Sequence, residues 1–159
     1  MIVTHDPIHF FSVPGRAPGA TYCVLRYRPS LTTTQFIKVD ILLPGTLHLP
    51  ALHPSHIACI SGFPVIPFAL LLLQKLQAYD DHWNAQERHH FVRWKKDRDD
   101  VQALMGLHDI VGQTIRELPW GDATVFSDEF LALSVQRVAK FAGRFEWSRA
   151  TWKALGFKV

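Results

Sequence analysis

An α+β fold is what this sequence predicts. Three observations point there: period-two patterning in the first half, helical patterning in the second, and proline–glycine turn signals between segments. Strands that precede helices, rather than alternate with them, predict a small mixed sheet near residues 9–13, 21–28 and 36–43. Four or five helices follow and cover one face of it.

His9 to Val13 is a short apolar run stopped by Pro14-Gly15, and Pro18-Gly19 is a second turn signal. Thr21 to Arg28 alternates, with Tyr22, Val24, Arg26 and Arg28 on one side and Cys23, Leu25 and Tyr27 on the other. Phe36 to Leu43 is the clearest strand. Ile37, Val39, Ile41 and Leu43 make a wholly apolar face, while Phe36, Lys38, Asp40 and Leu42 make a mixed one, and Pro44-Gly45 ends it. Ile57 to Ile60 reads as a short edge strand closed by Ser61-Gly62.

Helices take over from Pro67, whose missing N–H is harmless in a first turn. Phe68 to about Asp80 is apolar on nearly every side, the mark of a buried helix. A second helix runs from Glu87 to Leu107, with Asp97, Asp100, Val101, Leu104 and Met105 on one stripe. A third is expected from Asp109 to Leu118. A fourth spans Ser127 to Ala142, with Ser127 as N-cap, Asp128 and Glu129 in its first turn and Gly143 as its stop. A short fifth covers Ser148 to Leu155, before Gly156.

With 159 residues, one domain over 1–159 is the expectation, burying roughly 70% of its unfolded surface. The formal charge of +3 is compatible with phosphate-bearing ligands without arguing for them, and nothing decides for or against nucleic acid. Cys23 and Cys59 lie in apolar surroundings and read as buried reduced thiols. The longest apolar run, Phe63 to Leu73, has 11 residues and two prolines. A membrane span needs about 20. No secretory leader is visible at the amino terminus, so an intracellular, cytoplasmic protein with no membrane partner is expected.

Few residues carry obvious chemistry, and neither a Walker phosphate loop nor a serine nucleophile elbow occurs. Asp40, flanked by Val39 and Ile41, is a candidate metal ligand or general base if it points into a groove. Beside Lys38 an exposed strand aspartate is the reading that the residue alone favours. Lys75 sits among leucines and needs a counter-ion, for which Asp97 or Asp100 on the next helix are the candidates. A pair buried in the core would lose about 3–5 kcal/mol on Asp100→Ala. His82, His89, His90 and His108 cluster in sequence but match no zinc signature, and a solvated junction between helices explains them. Phe141, Phe145, Trp147 and Trp152 recur at near-helical spacing, as core packing or a partner-binding face.

Taken in order, these segments resemble the nucleotidyltransferase fold of the abortive-infection toxin (AbiEii) type. Lys38 to Gly45 resembles the strand that bears the third carboxylate, and Pro64 to Ala78 the following helix with its embedded lysine. Lys96 to Met105 resembles the lysine–aspartate helix, and Val13 to Tyr27 is similar to a stretch in uncharacterised fungal members. The resemblance covers residues 6–107 and leaves 108–159 as a helical carboxyl-terminal extension. It implies Asp40 as third carboxylate and Mg²⁺ ligand, with Lys75 and Lys38 toward nucleotide phosphate. The family's metal pair, however, is held by an Asp-x-Asp motif behind a Gly-Gly or Gly-Ser turn, and only Asp6 precedes Asp40 here.

The expectation is therefore a truncated nucleotidyltransferase-like domain, inactive alone, that binds a nucleotide or a partner. Mg²⁺ enters only if the site is completed. Two alternatives stand beside it: a metal-dependent nucleotidyltransferase completed by upstream sequence or another chain, and a helical interaction module that docks through Phe141, Trp147 and Trp152.

Overall fold

Alternation in the first part of the chain yields three strands: β1 (Phe10–Pro14), β2 (Cys23–Tyr27) and β3 (Ile37–Val39), preceded by a helical turn, α1 (Ile2–His5). These belong to a computed structural model that describes residues 2–16, 19–111, 123 and 125–159. The chain divides into two compact units, Met1–Thr46 and Leu47–Val159.

In the first unit the strand order is β1-β2-β3, antiparallel throughout, with Phe11 opposite Arg26 and Arg26 opposite Lys38. The sheet is thus not mixed. Segments 15–22 and 28–36 are shorter than the dozen or so residues that a parallel crossover needs. The strand expected over 36–43 is paired only over Ile37–Val39. In this register Cys23, where β2 ends, faces position 41, so Leu42 and Leu43 have no strand beside them. None of the described residues of this unit is buried. The apolar face read from Ile37, Ile41 and Leu43 is accordingly exposed, at 56%, 56% and 66%.

The second unit opens with a hairpin, β4 (Ala58–Ile60) and β5 (Phe63–Val65), joined by Ser61-Gly62. Both turn residues have positive φ, 51° and 80°, as a tight two-residue hairpin turn requires. Sequence pattern gave only the first of these strands, because Pro64 argues against a strand anywhere but an edge.

Among the described residues five α-helices belong to this unit: α2 (Phe68–Trp83), α3 (Arg88–Phe91), α4 (Trp94–Val111), α5 (Asp128–Arg144) and α6 (Arg149–Ala154). The helix expected from Glu87 is divided at Val92-Arg93 into α3 and α4. The helix expected over Asp109–Leu118 lies, past the end of α4, outside the described residues. Ser127 caps α5 by accepting a hydrogen bond from Phe130 N–H at 3.2 Å. The helix runs through Gly143 and ends at Arg144.

The core is made where the apolar faces meet. Leu70, Leu73, Leu76 and Tyr79 of α2 cluster with Val101 and Met105 of α4, with Phe130, Val138 and Phe141 of α5, and with Trp152 of α6. Residues on both sides of position 107 therefore build one core. Cys23 and Cys59 are exposed rather than buried, each on a strand of a small sheet. No helix among the described residues is long and apolar enough to cross a membrane.

Candidate functional site

Asp40 follows β3 at the edge of the first sheet, not on a central strand. Its carboxylate accepts a hydrogen bond from Lys38 Nζ at 2.8 Å, and both side chains are more than half exposed. That is the arrangement of a paired surface aspartate. Among the described residues Asp40 belongs to no group of three metal-ligating side chains.

Lys75 finds a counter-ion on α4. Its Nζ donates to Asp100 Oδ2 at 2.8 Å, with side-chain exposures of 39% and 32%. The pair is thus half-wet, and the large cost that full burial would give is corrected downward. Asp100→Ala should lower stability by no more than about 1 kcal/mol in urea titration, since solvent screens a pair this exposed. Asp97, the other candidate, is buried and accepts instead from His82 Nδ1 at 2.6 Å.

A second buried carboxylate, Asp80, is one that sequence reasoning missed. Asp80 on α2 faces Arg137 Nε at 3.8 Å and Lys140 Nζ at 3.7 Å, both from α5. Arg137 Nη1 also donates to Gln77 Oε1 at 3.3 Å, and Asn84 Nδ2 to Asp80 Oδ1 at 3.1 Å. A signal was present: Arg137 lies three positions after Ser134 and four before Phe141, within the apolar stripe of α5.

Phe141 and Trp152 are fully buried, which corrects the expectation that they present a docking face; of the three aromatics named for it, Trp147 alone is on the surface. Phe141 meets Tyr79 edge-on at 4.9 Å and Trp152 at 6.2 Å. Burial pushes the Tyr79 hydroxyl above its ordinary pKa, and the nearby Arg144 guanidinium opposes that only partly. Arg144 itself lies 4.4 Å over the Trp83 ring.

The histidines divide. His82 is largely buried against Asp97 rather than solvated, whereas His89 and His90 stand at the surface beside Glu87. The His108 side chain lies outside the described residues. A cleft of about 420 Å³ in the first unit is lined by Tyr22, Cys23, Lys38 and Asp40 among others, and a groove of about 340 Å³ beside α5 by Leu131, Val135, Leu155 and Phe157, with Lys158 at its rim.

The feature with most organisation lies on β3. Ile37-Lys38-Val39-Asp40-Ile41, which runs two residues past β3, is symmetric about Val39 in polarity, with isoleucine at both outer positions and opposite charges at the two inner ones. The strand is hydrogen-bonded to β2 on one side only. Compared with known proteins, the chain matches no family model, no curated protein and no solved structure.

Proposed function

We propose that this chain is a non-catalytic assembly module whose first unit pairs with a second copy of itself, β3 against β3. The carrying observation is the symmetry of residues 37–41 on an open sheet edge. Antiparallel pairing centred on Val39 sets Lys38 opposite the partner subunit's Asp40, and Ile37 opposite the partner subunit's Ile41. Two sheets of three strands become one of six, with matched charges on one face and matched apolar side chains on the other.

Other features support the same reading. An edge strand with unpaired N–H and C=O groups is a template for another strand, and apolar side chains beside it promote that use. Arg26 stands directly opposite Lys38 and has no ion pair of its own among the described residues, a like-charge opposition that disfavours the isolated sheet. A carboxylate from the second copy sets a negative charge directly across from Lys38, on the side away from Arg26. A three-stranded sheet without one buried residue also gains the most from a partner.

Nucleotidyl transfer is no part of this reading, because a lone carboxylate cannot seat the two metal ions that it uses. Transfer of labelled nucleotide from ATP and Mg²⁺ by the isolated chain would overturn that half of the proposal. The assembly half is tested by light scattering coupled to size-exclusion chromatography. The expected mass approaches twice 18.1 kDa as concentration rises, and a mass that stays at 18.1 kDa contradicts the reading.

A further inference from the structure

We infer that Glu87, His89 and His90 form a binding site for a divalent transition-metal ion of the zinc class, independent of the sheet edge and in the other unit of the chain. Glu87 Oε2 lies 3.3 Å from His89 Nε2 and 3.6 Å from His90 Nε2. One ligand atom from each residue falls within 4.8 Å of the other two. In a tetrahedral site with metal–ligand distances of about 2.0–2.1 Å, neighbouring ligand atoms stand about 3.3–3.4 Å apart. The two carboxylate–imidazole separations already approximate that figure, and the third closes by rotation of exposed rings.

The chemistry of the set agrees with the geometry. Two imidazoles and one carboxylate favour zinc-class ions, whereas Mg²⁺ and Ca²⁺ take oxygen ligands. Glu87 already faces both imidazoles, so a cation held among the three groups would replace two exposed, weak ion pairs. Three protein ligands leave one position open to water or to a further ligand.

The site is also anchored. The His90 ring stacks on His82, with centroids 6.0 Å apart and planes 12° from parallel. His82 in turn is held by buried Asp97 at 2.6 Å. This chain of contacts ties a surface cluster to the α2–α4 core, as outer-shell partners orient ligands in metal sites. His89 adds a ring contact with His90 at 4.1 Å. Sequence reasoning discounted the histidines because no zinc motif fits their spacing. A solvated junction between helices explained them instead, and the structure brings Glu87, the cap of α3, to the two rings.

The test is competition between the purified full chain and a chromophoric chelator for Zn²⁺, repeated with Mg²⁺. One equivalent of Zn²⁺ should be withdrawn from the chelator, with no comparable effect of Mg²⁺. His89→Ala, His90→Ala and Glu87→Gln should each weaken Zn²⁺ binding at least about tenfold, the smaller loss seen when even an outer-shell partner is removed. All three side chains are solvent-accessible, so the variants keep the fold, which unchanged far-ultraviolet circular dichroism verifies. Cys23→Ser and Cys59→Ser should leave the affinity unchanged. Failure of the wild-type chain to compete, equal binding of Mg²⁺, or Zn²⁺ binding that survives all three substitutions would each overturn the assignment.

Discussion

Phe141→Ala should cost the helical unit about 3–5 kcal/mol, the range for truncating a buried phenylalanine. The ring has no exposed surface and is enclosed by Tyr79, Phe145, Trp147 and Trp152, with centroids 4.9, 4.7, 6.0 and 6.2 Å away. Removing it deletes the transfer energy of the ring and leaves a cavity that these rigid aromatics cannot collapse to fill. Trp147→Ala is the matched control, because Trp147 is 47% exposed. It should move stability by no more than about 0.5–1 kcal/mol. Urea unfolding followed by circular dichroism distinguishes the two. A loss under about 1 kcal/mol for Phe141→Ala would mean that this ring faces a partner and not the core.

A second large effect is expected at Asp80. Asp80→Ala removes the carboxylate beside the nearly buried Arg137 guanidinium and, among the described residues, leaves that cation with the Gln77 amide. A one-sided break of a buried ion pair costs about 3–5 kcal/mol, and separations of 3.7–3.8 Å place this one at the lower end, near 3. Replacing both partners with apolar side chains, as in Asp80→Leu with Arg137→Met, should recover much of the loss, because the stranded charge goes with its partner. A double variant no better than Asp80→Ala would show that the pair itself, and not the stranded charge, sets the cost. Asp100→Ala, at an ion pair of similar chemistry but greater exposure, gives the low-cost comparison.

These contrasts show what could be read from the amino acids and what could not. Helices were legible because their signals are local. The Leu-rich run after Pro67 and the Ser127 cap each fix their element within a few residues, while the Val101–Met105 stripe marks α4 but not the break before Trp94. Lys75 could be matched to α4 because the stripe that buries Val101 must also carry Asp97 and Asp100 toward α2. Choosing between them could not be done from spacing, since it depends on His82 taking Asp97.

Strand length was less legible. Phe36–Leu43 has an eight-residue β pattern, yet pairing is a two-sided condition, and β2 covers only Ile37–Val39. The pattern that overshoots the observed strand is the same one that supplies the symmetric edge. The aromatic spacing near the end reports periodicity and not direction. It therefore could not separate Phe141 and Trp152, which point inward, from Trp147, which does not. The histidine cluster shows a third limit. Metal geometry needs distances between side-chain atoms, and neither Glu87 nor the stacking of His82 on His90 has a sequence signature.

Charge reversal across β3 tests the self-pairing most directly. Lys38→Asp alone, or Asp40→Lys alone, sets like charges opposite each other twice in a symmetric dimer. Each should weaken association about 30-fold, from two pairs lost and two repulsions gained at ~0.5 kcal/mol apiece. Lys38→Asp combined with Asp40→Lys restores opposite signs at both places and should return the dissociation constant, measured by sedimentation equilibrium, to near the wild-type value. Single and double variants that all associate like the wild-type chain, or a double variant weaker than either single one, would contradict the pairing of β3 with its own copy.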